Sequence, residues 1–116
     1  MTTSKMQEHR KYCKTAIIGC KIYCFSGVNS NFNSLQSSEV YCRKSNTWSF
    51  LSSFPGSYLQ YCCVCSFINK IYVFGDLLGN NWVYDPVENK WNTLTDCNVK
   101  RSDTSCAVFE GQCVVV

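Results

Sequence analysis

The sequence predicts an all-β fold made of a repeated four-stranded antiparallel unit, and three observations carry that reading. Short strand-like runs recur along the whole chain, and no segment longer than about eight residues follows a helical 3.6 period. Tyr41 precedes Trp48 by seven residues, and Tyr84 precedes Trp91 by seven. The two tryptophans lie 43 residues apart while Tyr23 and Tyr72 lie 49 apart, and the difference falls in one loop. Thirteen residues separate Gly27 from Tyr41, but seven separate Asp76 from Tyr84. Elements at fixed spacing around one variable loop are the mark of a structural repeat.

Taken in order, residues 1–9 are polar and basic and read as a disordered leader. The first unit, 10–58, opens with the apolar run Ala16-Ile17-Ile18, turns at Gly19-Cys20 and continues as Lys21-Ile22-Tyr23-Cys24-Phe25. Ser26-Gly27 stops that strand, and a loop rich in Asn and Ser follows from Val28 to Ser38. Phe32 and Leu35 are its only large apolar side chains. Glu39-Val40-Tyr41-Cys42 reads as a third strand, Arg43-Lys44-Ser45-Asn46 as a turn, and Thr47 to Leu51 as a fourth strand.

The second unit, 59–100, follows the same plan. Tyr61 to Phe67 is its first strand, Ile68-Asn69 the turn and Lys70 to Phe74 the second strand, closed by Gly75-Asp76. After a short connection through Leu77 and Leu78 come Asn81 to Tyr84, the turn Asp85 to Lys90, and Trp91 to Leu94. Pro86 presets φ for the second position of that turn, and Asn89 tolerates the left-handed region. A third unit starts within 101–116, with strands at Ser105 to Phe109 and Gln112 to Val116. Arg10 and Arg101, like Ala16 and Ala107, share an offset of 91.

Composition narrows the function. The chain is 46% apolar and 16% charged, which suits a packed globular protein. A net charge of +3 fits a solvated surface, and no nucleic-acid partner is expected. No apolar run approaches the roughly 20 residues of a membrane span. A signal-peptide core and an N-x-S/T acceptor are both missing from the sequence, so a cytoplasmic protein without membrane contact is expected. The ten cysteines mostly occupy strand positions where Val or Ala would serve, and they read as small buried hydrophobes. Cys62 and Cys65 form a lone C-x-x-C without a second pair at zinc-site spacing, so no metal or cofactor is expected.

At Ser26-Gly27, Tyr41 and Trp48, and again at Gly75-Asp76, Tyr84 and Trp91, the chain resembles the kelch family of β-propellers. That motif joins an apolar strand, a strand ending in a glycine pair, and a spaced tyrosine and tryptophan. Neither glycine pair is intact here. The resemblance implies kelch-type blades, with Gly27, Tyr41, Trp48, Gly75, Tyr84 and Trp91 as structural positions. Propellers close with about four to eight blades, and about two and a half are expected in this chain. An incomplete propeller is therefore expected, as a fragment, a truncated product or a chain that borrows blades by association.

His9 is the only histidine, which leaves a Ser or Cys nucleophile without a base, and no Gly-rich phosphate loop is present. A copper oxidase built on kelch-like blades has histidine ligands with no match here. The sequence predicts no enzyme. Propeller loops vary freely on a rigid framework, so Phe32 and Leu35, and secondarily Leu77 and Leu78, are the candidate contacts of a binding surface. Tyr84-Asp85-Pro86, Asn89 and Trp91 resemble the repeats of BTB-kelch proteins. That resemblance implies capture of a ubiquitylation substrate for a cullin-RING ubiquitin ligase, with cullin contact only through a BTB domain that these residues lack. Actin binding is the alternative, and a non-functional truncated product is a third reading.

Overall fold

The computed structural model describes residues 3–56, 63–74 and 80–94 in full, and the backbone of strands at 106–109 and 112–115. Ten strands are present among the described residues. Strands β1 (Lys14–Ile18), β2 (Lys21–Phe25), β3 (Ser38–Cys42) and β4 (Thr47–Leu51) form one antiparallel meander. Strands β5 (Cys63–Phe67), β6 (Lys70–Phe74), β7 (Asn81–Asp85) and β8 (Lys90–Leu94) form a second. A third sheet is begun by the hairpin of β9 (Cys106–Phe109) and β10 (Gln112–Val115). The expected all-β architecture is the observed one; β1 starts two residues earlier than the apolar run suggests, because Lys14 pairs with Phe25.

The repeat holds at the level of side chains. Tyr41 faces Trp48 across β3 and β4 with ring centroids 5.2 Å apart, and Tyr84 faces Trp91 across β7 and β8 at 5.0 Å. Each pair is closed by an asparagine in the left-handed region, Asn46 at φ 53° and Asn89 at φ 55°. The Tyr41 hydroxyl donates to Asn46 Oδ1 at 2.7 Å and the Tyr84 hydroxyl to Asn89 Oδ1 at 2.6 Å. Burial pushes the Tyr84 phenol up to about 12, which keeps the donated proton in place.

A serine then crosses each pair from outside the sheet. Ser52, just beyond β4, donates its N–H to Asn89 Oδ1 at 3.0 Å, and its carbonyl accepts the Trp91 indole N–H at 3.2 Å. Ser4 does the same on the first sheet, donating to Asn46 Oδ1 at 2.9 Å and accepting the Trp48 indole at 2.8 Å. The segment expected to be a disordered leader is thus fixed from Ser4 onward, in the role that Ser52 plays between the sheets. Serine is too common a residue for this role to be read from sequence.

The core lies between the two meanders. Tyr23 and Phe25 of β2 meet Tyr84 and Trp91, with Phe25 centred 5.8 Å from Tyr84 and 5.2 Å from Trp91. Phe54, on the connection after β4, fills the remaining corner at 5.0 Å from Trp91 and 5.8 Å from Trp82. Ile71 and Val73 of β6 complete the buried cluster. Edge-to-face aromatic pairs of this kind add about 0.5–1.5 kcal/mol each beyond area burial.

The β5–β6 hairpin contains a local strain. Ile68 and Asn69 both have positive φ, 48° and 57°, the pattern of a type I′ turn. A β-branched residue is poorly suited to that region, and Ile68, 75% exposed, recovers little through packing. Ile68→Asn is expected to raise stability by about 1 kcal/mol, read as a higher urea midpoint with an unchanged slope. A lower midpoint would mean that the Ile68 side chain is held by contacts that compensate the strain.

Candidate functional site

The loop between β2 and β3 is an ordered structure. At its start Ser26 and Gly27 take φ of 59° and 98°, and a Cβ on Gly27 would fall 2.7 Å from the Lys11 carbonyl oxygen. Only glycine fits there. Val28 then exchanges both backbone hydrogen bonds with Lys11, each 2.8 Å, and also bridges to Ser34. Asn29 holds the tip: its Oδ1 accepts from the N–H groups of Asn31 at 2.9 Å and Asn33 at 3.0 Å, and its carbonyl accepts from Phe32 N–H at 3.0 Å. The returning limb is tied by Leu35 N–H to the Gly27 carbonyl at 2.8 Å, and by Ser26 N–H to the Ser37 carbonyl at 3.1 Å.

This geometry decides between the two candidate apolar contacts. Phe32 sits at the tip with φ 60° and its side chain 68% exposed. Leu35 is half-buried, since its backbone is drawn against Gly27, so it helps to close the loop more than it offers a contact. One neighbour that sequence reasoning missed stands beside Phe32. Lys11 Nζ lies 5.4 Å from the Phe32 ring centroid, a cation–π contact. Tyr12, at φ 58°, is 62% exposed. The loop tip therefore presents an exposed aromatic ring with a cation against it.

Beneath the loop lies a buried ion pair. Arg10 Nη2 is 2.9 Å from Glu39 Oε2, and both side chains are fully enclosed. All five guanidinium N–H groups are used. Nε and Nη2 donate to Glu39 Oε2, Nη1 to the carbonyls of Ser26 and Ser37, and Nη2 also to Ser37 Oγ. Glu39 is satisfied in turn by the N–H groups of Gln7 at 2.6 Å and Glu8 at 3.1 Å. One residue of the N-terminal segment thereby holds both feet of the loop, Ser26 and Ser37, against β3. The matching position on β7 is Trp82, which packs on Phe54. A carboxylate at a core tryptophan's repeat position was the available sequence signal for this pair.

The structural residues fall where the repeat places them. Tyr41 and Tyr84 are buried, and Trp48 and Trp91 are half-buried. Gly75, Leu77 and Leu78 lie outside the described residues. Of the cysteines, Cys24 and Cys63 are buried, while Cys13, Cys20, Cys42 and Cys65 are half-buried. Cys63 is disulfide-bonded, and its partner lies outside the described residues.

Comparison with known proteins agrees with this geometry. The family model of the kelch motif matches residues 9–55, the first meander with its connections. The solved structure of YjhT matches at a TM-score of 0.77 and 19% identity, over 97% of this chain. The first meander matches the kelch motif, and the two sheets have the four-stranded fold of propeller blades. The chain spans 35% of the length of that structure. No curated protein matches by sequence. In kelch terms β1 to β4 are one blade, β5 to β8 the next, and the described loop is the β2–β3 loop of the first blade. Kelch repeats generally mediate protein–protein binding.

Proposed function

We propose that this chain is a protein-interaction module whose first blade contacts its partner through Phe32, with Lys11 beside it. The observation that carries the reading is the presentation of Phe32. A large exposed aromatic is held at the tip of a loop fixed by backbone hydrogen bonds above and by Arg10 below. A contact built this way loses little conformational entropy on binding. Aromatic side chains at rigid positions are also the usual centres of binding energy.

Within that reading, the partner is a ubiquitylation substrate in the cytosol, and the chain is the capturing part of a BTB-kelch adaptor. The support for this finer step is the Tyr84-Asp85-Pro86 to Trp91 pattern and its resemblance to that subfamily. Proximity labelling in cells, with the wild-type chain beside Phe32→Ala, tests both steps. Phe32→Ala is expected to reduce labelling of the specific partner by about tenfold or more, with an unchanged unfolding midpoint. Unchanged labelling would overturn the assignment of the loop as the binding surface. The adaptor step further requires that ubiquitylation of the captured protein fall with Phe32→Ala. A captured protein whose ubiquitylation does not change would remove the adaptor role and leave the interaction module. Co-sedimentation of the chain with actin filaments would instead move the assignment to the cytoskeleton.

A further inference from the structure

Two thiols lie together at the base of the same loop. Cys13 immediately precedes β1, and Cys24 lies on β2. The register places Thr15 opposite Cys24, so Cys13, two residues before Thr15, is the diagonal neighbour of Cys24 on one face of the sheet. That face also carries Glu39, directly opposite Cys24 on β3. Cys24 is only 4% exposed, whereas Cys13 is half-buried and reachable from solvent. The enclosed Arg10 guanidinium adds a positive charge beside the two thiols.

These surroundings divide the pair into two chemical roles. The neighbouring Cys24 thiol, with the Arg10 charge, draws the Cys13 thiol below its ordinary value and so favours the thiolate at the more exposed sulfur. The neighbouring Cys13, together with burial, pushes the Cys24 thiol up, so it keeps its proton. Cys42 offers an internal contrast. Its thiol is also lowered, to about 7, but its hydrogen bonds come from Ser45 and Lys44 and not from a second thiol.

We propose that Cys13 and Cys24 form a redox pair, in which Cys13 reacts with hydrogen peroxide and Cys24 closes a disulfide onto it. The Cys13 thiolate attacks one peroxide oxygen, the O–O bond breaks, and hydroxide leaves. That hydroxide takes up the proton that Cys13 lost on ionising, which gives water and a Cys13 sulfenic acid. Cys24 then attacks the sulfenic sulfur. The S–O bond breaks, and the hydroxyl leaves with the Cys24 proton as a second water. Two thiols are oxidised by two electrons, and one peroxide is reduced to two waters. A dithiol reductant reverses the change.

Bringing the sulfurs of these diagonal neighbours to the S–S length of about 2.05 Å draws on residue 13, which lies outside the β1 ladder. The bond would tie the chain at Cys13 to β2, two residues from the Lys11–Val28 pairing that anchors the loop. The proposal does not rest on the identity of any protein partner.

The test is oxidation of the full chain with stoichiometric hydrogen peroxide, thiol blocking, and non-reducing peptide mapping by mass spectrometry. The Cys13–Cys24 linkage is expected to form first, about tenfold faster than oxidation of Cys42, and to disappear on treatment with dithiothreitol. In Cys24→Ser the sulfenic acid is expected to persist at Cys13, where dimedone traps it. The wild-type mapping decides the question even if Cys24→Ser fails to fold. Oxidation of Cys42 ahead of Cys13, or oxidation of Cys13 without linkage to Cys24, would overturn the proposal.

Discussion

Phe25→Ala is expected to cost about 3–5 kcal/mol. The ring is fully enclosed and touches both Tyr84 and Trp91 of the neighbouring blade as well as Tyr23 of its own. Its removal takes away the transfer free energy of the ring and leaves a cavity between two sheets that cannot close without shifting as bodies. Folded domains are stable by about 5–15 kcal/mol, so a loss of this size leaves little. Urea unfolding of the wild type, Phe25→Leu and Phe25→Ala should give a graded fall in the midpoint. Phe50 supplies the contrast: its ring is 54% exposed, and Phe50→Ala is expected to cost less than about 1 kcal/mol. Equal losses at the two positions would mean that the blades are not joined through this aromatic cluster.

Glu39→Leu is expected to cost about 3–5 kcal/mol, for a different reason. The substitution leaves the Arg10 guanidinium enclosed without its carboxylate, and removes the acceptor for the N–H groups of Gln7 and Glu8. Arg10→Met strands the carboxylate in the same way and also frees the carbonyls of Ser26 and Ser37. The double variant, Arg10→Met with Glu39→Leu, buries no lone charge and should recover part of the loss. A double-mutant cycle from urea midpoints is therefore expected to show a coupling of about 1–3 kcal/mol. Additive losses would mean that the two residues act independently. Because the pair holds the feet of the β2–β3 loop, each single variant should also weaken any binding that depends on Phe32.

The architecture was legible because the repeat writes itself in rare residues at fixed spacing. Tyr84 and Trp91, with Asn89 at the turn, each need a particular chemistry, and only a few residue types supply it. The candidate site was legible in half. Phe32 was visible as a large apolar side chain in a polar loop, but so was Leu35, and composition does not separate them. The backbone does, by turning Phe32 outward at positive φ and drawing Leu35 against Gly27. The support beneath was barely legible, its one signal being a carboxylate where the second unit has Trp82. Glu39 reads as one more alternating residue in Glu39-Val40-Tyr41-Cys42, and its partner is 29 positions away in a segment with no strand pattern. Contacts made by a chain returning over a sheet leave no local period to detect. The Cys13–Cys24 pair was hidden for a similar reason, since a diagonal across two strands depends on register.

The central claim is that the segment from Ser4 to Arg10 and the β2–β3 loop form one fixed structure on the first blade. Hydrogen exchange followed residue by residue on the full chain tests it most directly. Protection is expected at the backbone N–H groups of Lys11, Val28 and Leu35, and at the indole N–H of Trp48 as well as Trp91. If Trp91 is protected while Trp48, Val28 and Leu35 exchange at the rate of an unfolded chain, the claim is contradicted.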